Sequence, residues 1–175
     1  MTNNDILRRI RYAFDLSDSK MIAVFGLADH ETTREQISNW LKKDDDPAYL
    51  NCSDTHLAIF LNGLIIDKRG KKEGSQPEPD KRLTDNIIKR SKKEKPQPKP
   101  EKHLTNNNVF MKLKIALNLK ADDVLDILDL ANFRISKHEL SAFFRKPDHK
   151  HYRECKDQIL RNFLKGIQLK YRPDL

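Results

Sequence analysis

Apolar residues along this chain fall one, three and four positions apart, the spacing of a helical stripe rather than the alternation of a strand. Over Asn4–Phe14 the stripe is Ile6, Leu7, Ile10, Ala13 and Phe14. A second helix is expected over Asp18–Ala28, with Ile22, Phe25 and Leu27 on its apolar side. A third opens on Thr33-Arg34-Glu35-Gln36, a capping box in which hydroxyl and amide satisfy each other's backbone donors. Ile37, Trp40 and Leu41 follow as its core positions. A fourth starts after Cys52-Ser53, carries Leu57, Phe60, Leu61 and Leu64, and ends near Arg69.

The pattern then returns. Residues 106–173 align on residues 3–70 at a constant offset of 103, and 17 of the 68 pairs are identical. Unrelated segments would agree at roughly one position in sixteen. The second set of stripes is Val109, Phe110, Leu113, Ala116 and Leu117, then Leu125, Leu128 and Leu130 over Asp122–Ala131. A capping box at Ser136-Lys137-His138-Glu139 leads into Leu140, Phe143 and Phe144. The last helix follows Cys155-Lys156 with Leu160, Phe163, Leu164 and Ile167, ending near Arg172. The expected fold is all-α: two tandem four-helix repeats, about eight helices, over residues 1–70 and 104–175. Either one pseudo-symmetric body or two tethered ones would satisfy the pattern.

Positions kept in both copies read as scaffold. Asn3/Asn106 and Asn4/Asn107 precede the first stripes and are expected to be N-caps. Gly63 and Gly166 sit inside helices, where glycine costs about 1 kcal/mol, so a close helix crossing is expected at each. Trp40 is expected in the core, because Phe143 fills the same place.

Composition separates the copies. Residues 71–103 hold most of the chain's eight prolines and many lysines, a linker composition. Within it, Pro77–Arg90 resembles Pro98–Met111 at an offset of 21. Residues 84–92 are expected to form at most a helical turn, and Glu94–Lys102 to be extended or disordered. The net charge of +8 is uneven: −2 over residues 1–70, +5 over the linker and +5 over residues 104–175. A basic surface of that kind attracts nucleic acid or an acidic protein partner.

Candidate chemistry is sparse. No signal peptide or bilayer-length apolar run is visible, and two cysteines do not make a secreted disulfide framework. A cytoplasmic protein with reduced thiols is expected. His149, His151 and Cys155 could suggest a metal, but the first copy has Asp46, Ala48 and Cys52 there, and no metal or other cofactor is expected. Cys155 precedes a helix, where a thiol can be activated, yet Cys52 holds the same place in different surroundings. A small buried residue is the better reading. Phosphate loops, nucleophile elbows and paired carboxylates are lacking, so an enzyme is not expected.

The divergent positions point to binding. Arg161, Lys165, Gln168 and Arg172 form one polar stripe, where the first copy has Ala58, Asn62, Ile65 and Arg69. That face should be packed in one copy and open in the other. With Arg145, Lys146, His149, Lys150, His151 and Arg153 of the preceding loop, it forms a candidate surface for nucleic-acid phosphates or an acidic partner. The second and third helices of each copy also suggest a helix-turn-helix, bearing Arg34, Asn39, Lys42 and Lys43, or Lys137, His138, Ser141 and Arg145.

Three stretches carry a family likeness: Asn3-Asn4-Asp5-Ile6-Leu7-Arg8, Phe60-Leu61-Asn62-Gly63-Leu64-Ile65 with Lys68-Arg69-Gly70, and Pro147-Asp148-His149-Lys150-His151-Tyr152-Arg153-Glu154-Cys155. In these the chain resembles the bacterial YehS-like family, a duplicated domain of unknown function. The resemblance covers nearly everything outside the linker. It implies a small bacterial cytoplasmic protein and brings no catalytic residue with it. Lys156 stands where the family pattern leads one to expect glycine, and the linker is longer than the family's usual one.

Overall fold

The computed structural model describes residues 1–70 and 99–174. Most of the linker, including the expected turn at 84–92, lies outside the described residues. Eight helices follow in order: α1 (Asn3–Ala13), α2 (Asp18–Leu27), α3 (Arg34–Leu41), α4 (Asp54–Arg69), α5 (Asn106–Ala116), α6 (Ala121–Leu130), α7 (Lys137–Phe143) and α8 (Asp157–Tyr171). Four belong to each copy, and no strand occurs among the described residues.

Helix boundaries follow local chemistry. The capping boxes expected at Thr33 and Ser136 are both formed. Those of α1 and α5 are formed by Thr2 and Thr105, whose hydroxyls accept from Asp5 N and Asn108 N. These threonines are themselves 103 residues apart, so the repeat reaches one position further upstream. The left-handed residues that follow α1, α2, α5 and α6 are Asp15, Asp29, Asn118 and Asn132, with φ between 49° and 58°. Asp and Asn tolerate that region, so four helix ends are closed without glycine.

The asparagines are therefore not the expected caps. Asn4 is fully buried, and its amide donates to the carbonyls of Trp40 and Leu50, both at 2.8 Å. Its Oδ1 accepts from Cys52 N at 3.0 Å. Asn107 repeats the arrangement with Phe143 O, Arg153 O and Cys155 N. Asn3 and Asn106 reach the carbonyls of Cys52 and Cys155 and the carboxylates of Asp54 and Asp157. One hydrogen-bonded joint thus ties the first helix of each copy to the loop before its fourth. It accounts for four of the retained pairs together.

The glycine expectation is met in a definite way. A Cβ on Gly63 would lie 1.9 Å from the Val24 carbonyl oxygen, and one on Gly166 would lie 2.0 Å from that of Ile127. So α4 crosses α2, and α8 crosses α6, at backbone contact. Trp40 and Phe143 are buried, as expected.

The two copies share one hydrophobic core. They exchange partners: α5 packs along α4, and α8 along α1, more extensively than either first helix packs on its own fourth. The exchange is reciprocal to the atom. Leu104 N donates to Asp54 Oδ2 at 3.0 Å, and the equivalent Met1 amino group pairs with Asp157 Oδ2. The arrangement is one pseudo-symmetric body. Ala58 is fully buried and Asn62 only 8% exposed, with Lys112 of α5 donating to Asn62 Oδ1 at 2.6 Å. The first half of the first copy's stripe, Ala58 and Asn62, is packed as its sequence suggested, with α5 against it, while Ile65 is half-buried and Arg69 is exposed.

Helices α2 and α3 are joined by six residues, and α3 and α7 are only eight and seven residues long. A helix-turn-helix uses a three- to four-residue turn. Arg34 and Lys137 also face back to Asp18 and Asp122 at the start of the preceding helix. This pairing departs from the DNA-reading motif.

One feature belongs to the first copy alone. His56 lies against Trp40 (4.9 Å between ring centres) and edge-on to His30 (5.3 Å), with Nδ1 2.7 Å from Ser53 Oγ. Burial first, and the neighbouring His30 second, hold its pKa below the ordinary imidazole value of 6.5. The folded protein thus favours the neutral ring, and the unfolded chain takes the proton first. The resulting stability is complete above about pH 6.5 and is lost as pH falls through the folded value. Urea midpoints should therefore drop as pH falls below about 6.5, and His56→Phe should reduce that drop. An unchanged pH slope in the variant would remove His56 as its source.

Candidate nucleic-acid interface

The loop between α7 and α8 starts where Phe144 ends the helix, and Lys146 O accepts from His149 N at 2.9 Å to close a turn. A second turn, Tyr152 N to His149 O at 2.8 Å, brings the chain back toward the core. Arg153 N then donates to Ala142 O at 3.2 Å, fastening the loop against α7. The result is an open depression lined by Phe144, Arg145, Lys146, Asp148, His149 and Lys150. Three permanent cations face one carboxylate there.

Arg145 is the unusual member. Its Nε is buried and finds no acceptor among the described residues. Its Nη1 lies 3.3 Å from His149 Nε2. The His151 backbone N–H lies 3.1 Å from His149 Nδ1 on the other side of the ring, so the imidazole sits between this amide and the guanidinium. A buried donor without an acceptor costs about 1–3 kcal/mol.

The other predicted residues fall in different places. His151 lies beside His149 at 5.7 Å between ring centres, while Arg153 is exposed and lies near Glu139. Arg161 and Lys165 are exposed on α8, outside the loop depression. Arg172 requires correction: it is not a free end of the stripe. The helix stops at Tyr171, and Arg172 turns across to α1, donating to Tyr12 O at 3.1 Å and pairing with Asp15 at 3.3 Å. Lys112, a cation outside the stripe, is consumed between Asn62 and Glu101.

Cys52 and Cys155 are both buried and free, and burial pushes each thiol up to about 12. They are protonated and poorly nucleophilic at neutral pH. Among the described residues no three His, Cys, Asp or Glu side chains gather in a way that could hold a metal ion. No described helix is long and apolar enough to cross a membrane.

Residues 3–70 and 106–172 each match one family, described as "Protein of unknown function (DUF1456)". A relative from Escherichia coli (strain K12), "Uncharacterized protein YehS", is 41% identical over 168 residues, spanning 95% of this chain and 94% of its own length. No solved structure matches.

Proposed function

Because the chain belongs to the DUF1456 family, matched once by each copy, we propose that its copies divide the work, the first building the joint body and the second binding nucleic-acid phosphates. The observation that carries the reading is the Arg145 guanidinium, held beside His149 in a depression flanked by Lys146 and Lys150, with a buried donor that no described protein group satisfies. Arg161 and Lys165 extend the positive surface along α8. The interaction is one of charge: phosphates take such donors irrespective of sequence.

The role is binding or regulatory rather than catalytic. The thiols support this, being buried and pushed up to about 12. A cytoplasmic setting suits two free cysteines. The alternative occupant is an acidic protein surface, which would use the same cations.

A gel shift with mixed DNA and RNA separates these readings. The wild-type protein should retard nucleic acid at low salt, and Arg161→Glu/Lys165→Glu should weaken the shift by roughly tenfold or more. No shift at low salt would overturn the proposal. Partners captured from bacterial lysate that survive nuclease treatment would favour the acidic protein instead.

A further inference from the structure

The stripe on α8 runs into a cluster of aromatic rings. Four large apolar side chains are exposed among the described residues, and two of them, Tyr12 (43%) and Tyr171 (42%), share this one end of the body. The Arg172 guanidinium lies over the Tyr12 ring at 4.7 Å. Tyr171 packs at a tilt on Phe14, with ring centres 5.3 Å apart. Lys68, at the end of α4, sits 4.7 Å over Phe14, and Lys170 lies 5.9 Å from the Tyr171 ring centre. The C-terminal ends of α1, α4 and α8 thus meet in a surface of alternating rings and cations.

The cations alone have a simple cause. Helix C-termini carry partial negative charge and attract Lys and Arg. The exposed tyrosines do not follow from it. The repeat puts Ile115 where Tyr12 stands and Lys68 where Tyr171 stands, so neither ring belongs to the shared scaffold. Exposed aromatic faces beside cations are what unpaired bases stack on, whatever their sequence.

Position strengthens the case. Helix α8 has 15 residues, about 22 Å of axis, with the basic loop at its start and Tyr171 at its end. Arg161 and Lys165 lie between. A chain of phosphates following these cations would bring its bases to the rings.

We infer that the joined ends of α1, α4 and α8 form a stacking platform for the unpaired bases of a single-stranded nucleic acid whose backbone follows α8 from the basic loop. This rests on the nucleic-acid reading above and specifies its substrate as single strands. Duplexes, whose bases are stacked already, bind less well.

The test is fluorescence anisotropy with three labelled probes of equal length: oligo-dT, its abasic counterpart and a duplex. Wild type should prefer oligo-dT to both others. Tyr12→Ser/Tyr171→Ser should weaken oligo-dT about 10–100-fold and leave the abasic strand unchanged. Tyr12→Phe/Tyr171→Phe, which keeps the faces, should bind like wild type and shows that the effect is not one of folding. Equal losses on oligo-dT and the abasic strand would overturn the platform while leaving the phosphate interaction in place. So would equal wild-type affinity for all three probes. Failure of wild type to bind any probe, or displacement by polyglutamate as readily as by oligo-dT, would sink both.

Discussion

Replacing Asn4 by alanine lowers the unfolding free energy by about 3 kcal/mol. The substitution strands the carbonyls of Trp40 and Leu50 and the amide of Cys52. Each buried orphan costs about 1–3 kcal/mol, and the half-exposed site at Leu50 recovers part of this from water. Asn107→Ala has a loss of the same order, because its three partners are equivalent. Asn4→Asp does worse than alanine: it removes both donors and places a charge in a buried site. Urea denaturation checks all three. A loss under about 1 kcal/mol for Asn4→Ala, the size expected of an exposed N-cap, would contradict the joint.

Gly63→Ala and Gly166→Ala each destabilise by about 3 kcal/mol, the upper end of the usual cost of overpacking a core, although alanine is the better helix former by about 1 kcal/mol. The added methyl meets backbone oxygen at 1.9 or 2.0 Å, not the end of a flexible side chain. Relief requires α2 or α6 to move outward, and that opens the packing around Phe60 or Phe163. Gly26, whose added Cβ would meet nothing within 4 Å, is the control. Gly26→Ala should be neutral or stabilising. Thermal unfolding of the three variants gives the comparison, and equal behaviour would contradict the close crossing.

These two devices show where sequence was readable. Helical spacing located the eight helices, the Trp40 and Phe143 core places and the packed face around Ala58, but it misplaced the buried side of α2 and α6. Met21, Val24, Val124 and Ile127 are buried there, while Ile22, Leu27 and Leu125 are only partly covered and Leu130 is 48% exposed. The glycines were legible because a poor helix former kept twice in a helix needs a steric reason. The asparagines misled because one residue type has two uses. An amide before a stripe fits an N-cap, and only the fold shows it turned inward while Thr2 and Thr105 do the capping. Arg172 misled for a different reason. A stripe at helical spacing assumes that the helix continues, and α8 ends one residue earlier. The exchange of first helices between copies left no local trace, since it depends on which of two similar apolar faces meets which.

The same scaffold therefore carries two surfaces. In the first copy the fourth-helix face is closed by α5. In the second it stays charged and leads from an unsatisfied arginine to exposed tyrosines.

The salt dependence of nucleic-acid binding tests this division most directly. Each phosphate that a variant no longer neutralises should flatten the slope of log K against log salt by about 0.7–0.9. Lys146→Ala/Lys150→Ala/Arg161→Ala/Lys165→Ala should accordingly flatten it by about 3, whereas Arg34→Ala/Lys43→Ala in the first copy should leave it unchanged. Equal slopes for wild type and the fourfold variant, or a flattening from the first-copy pair, would contradict the assignment of binding to the second copy.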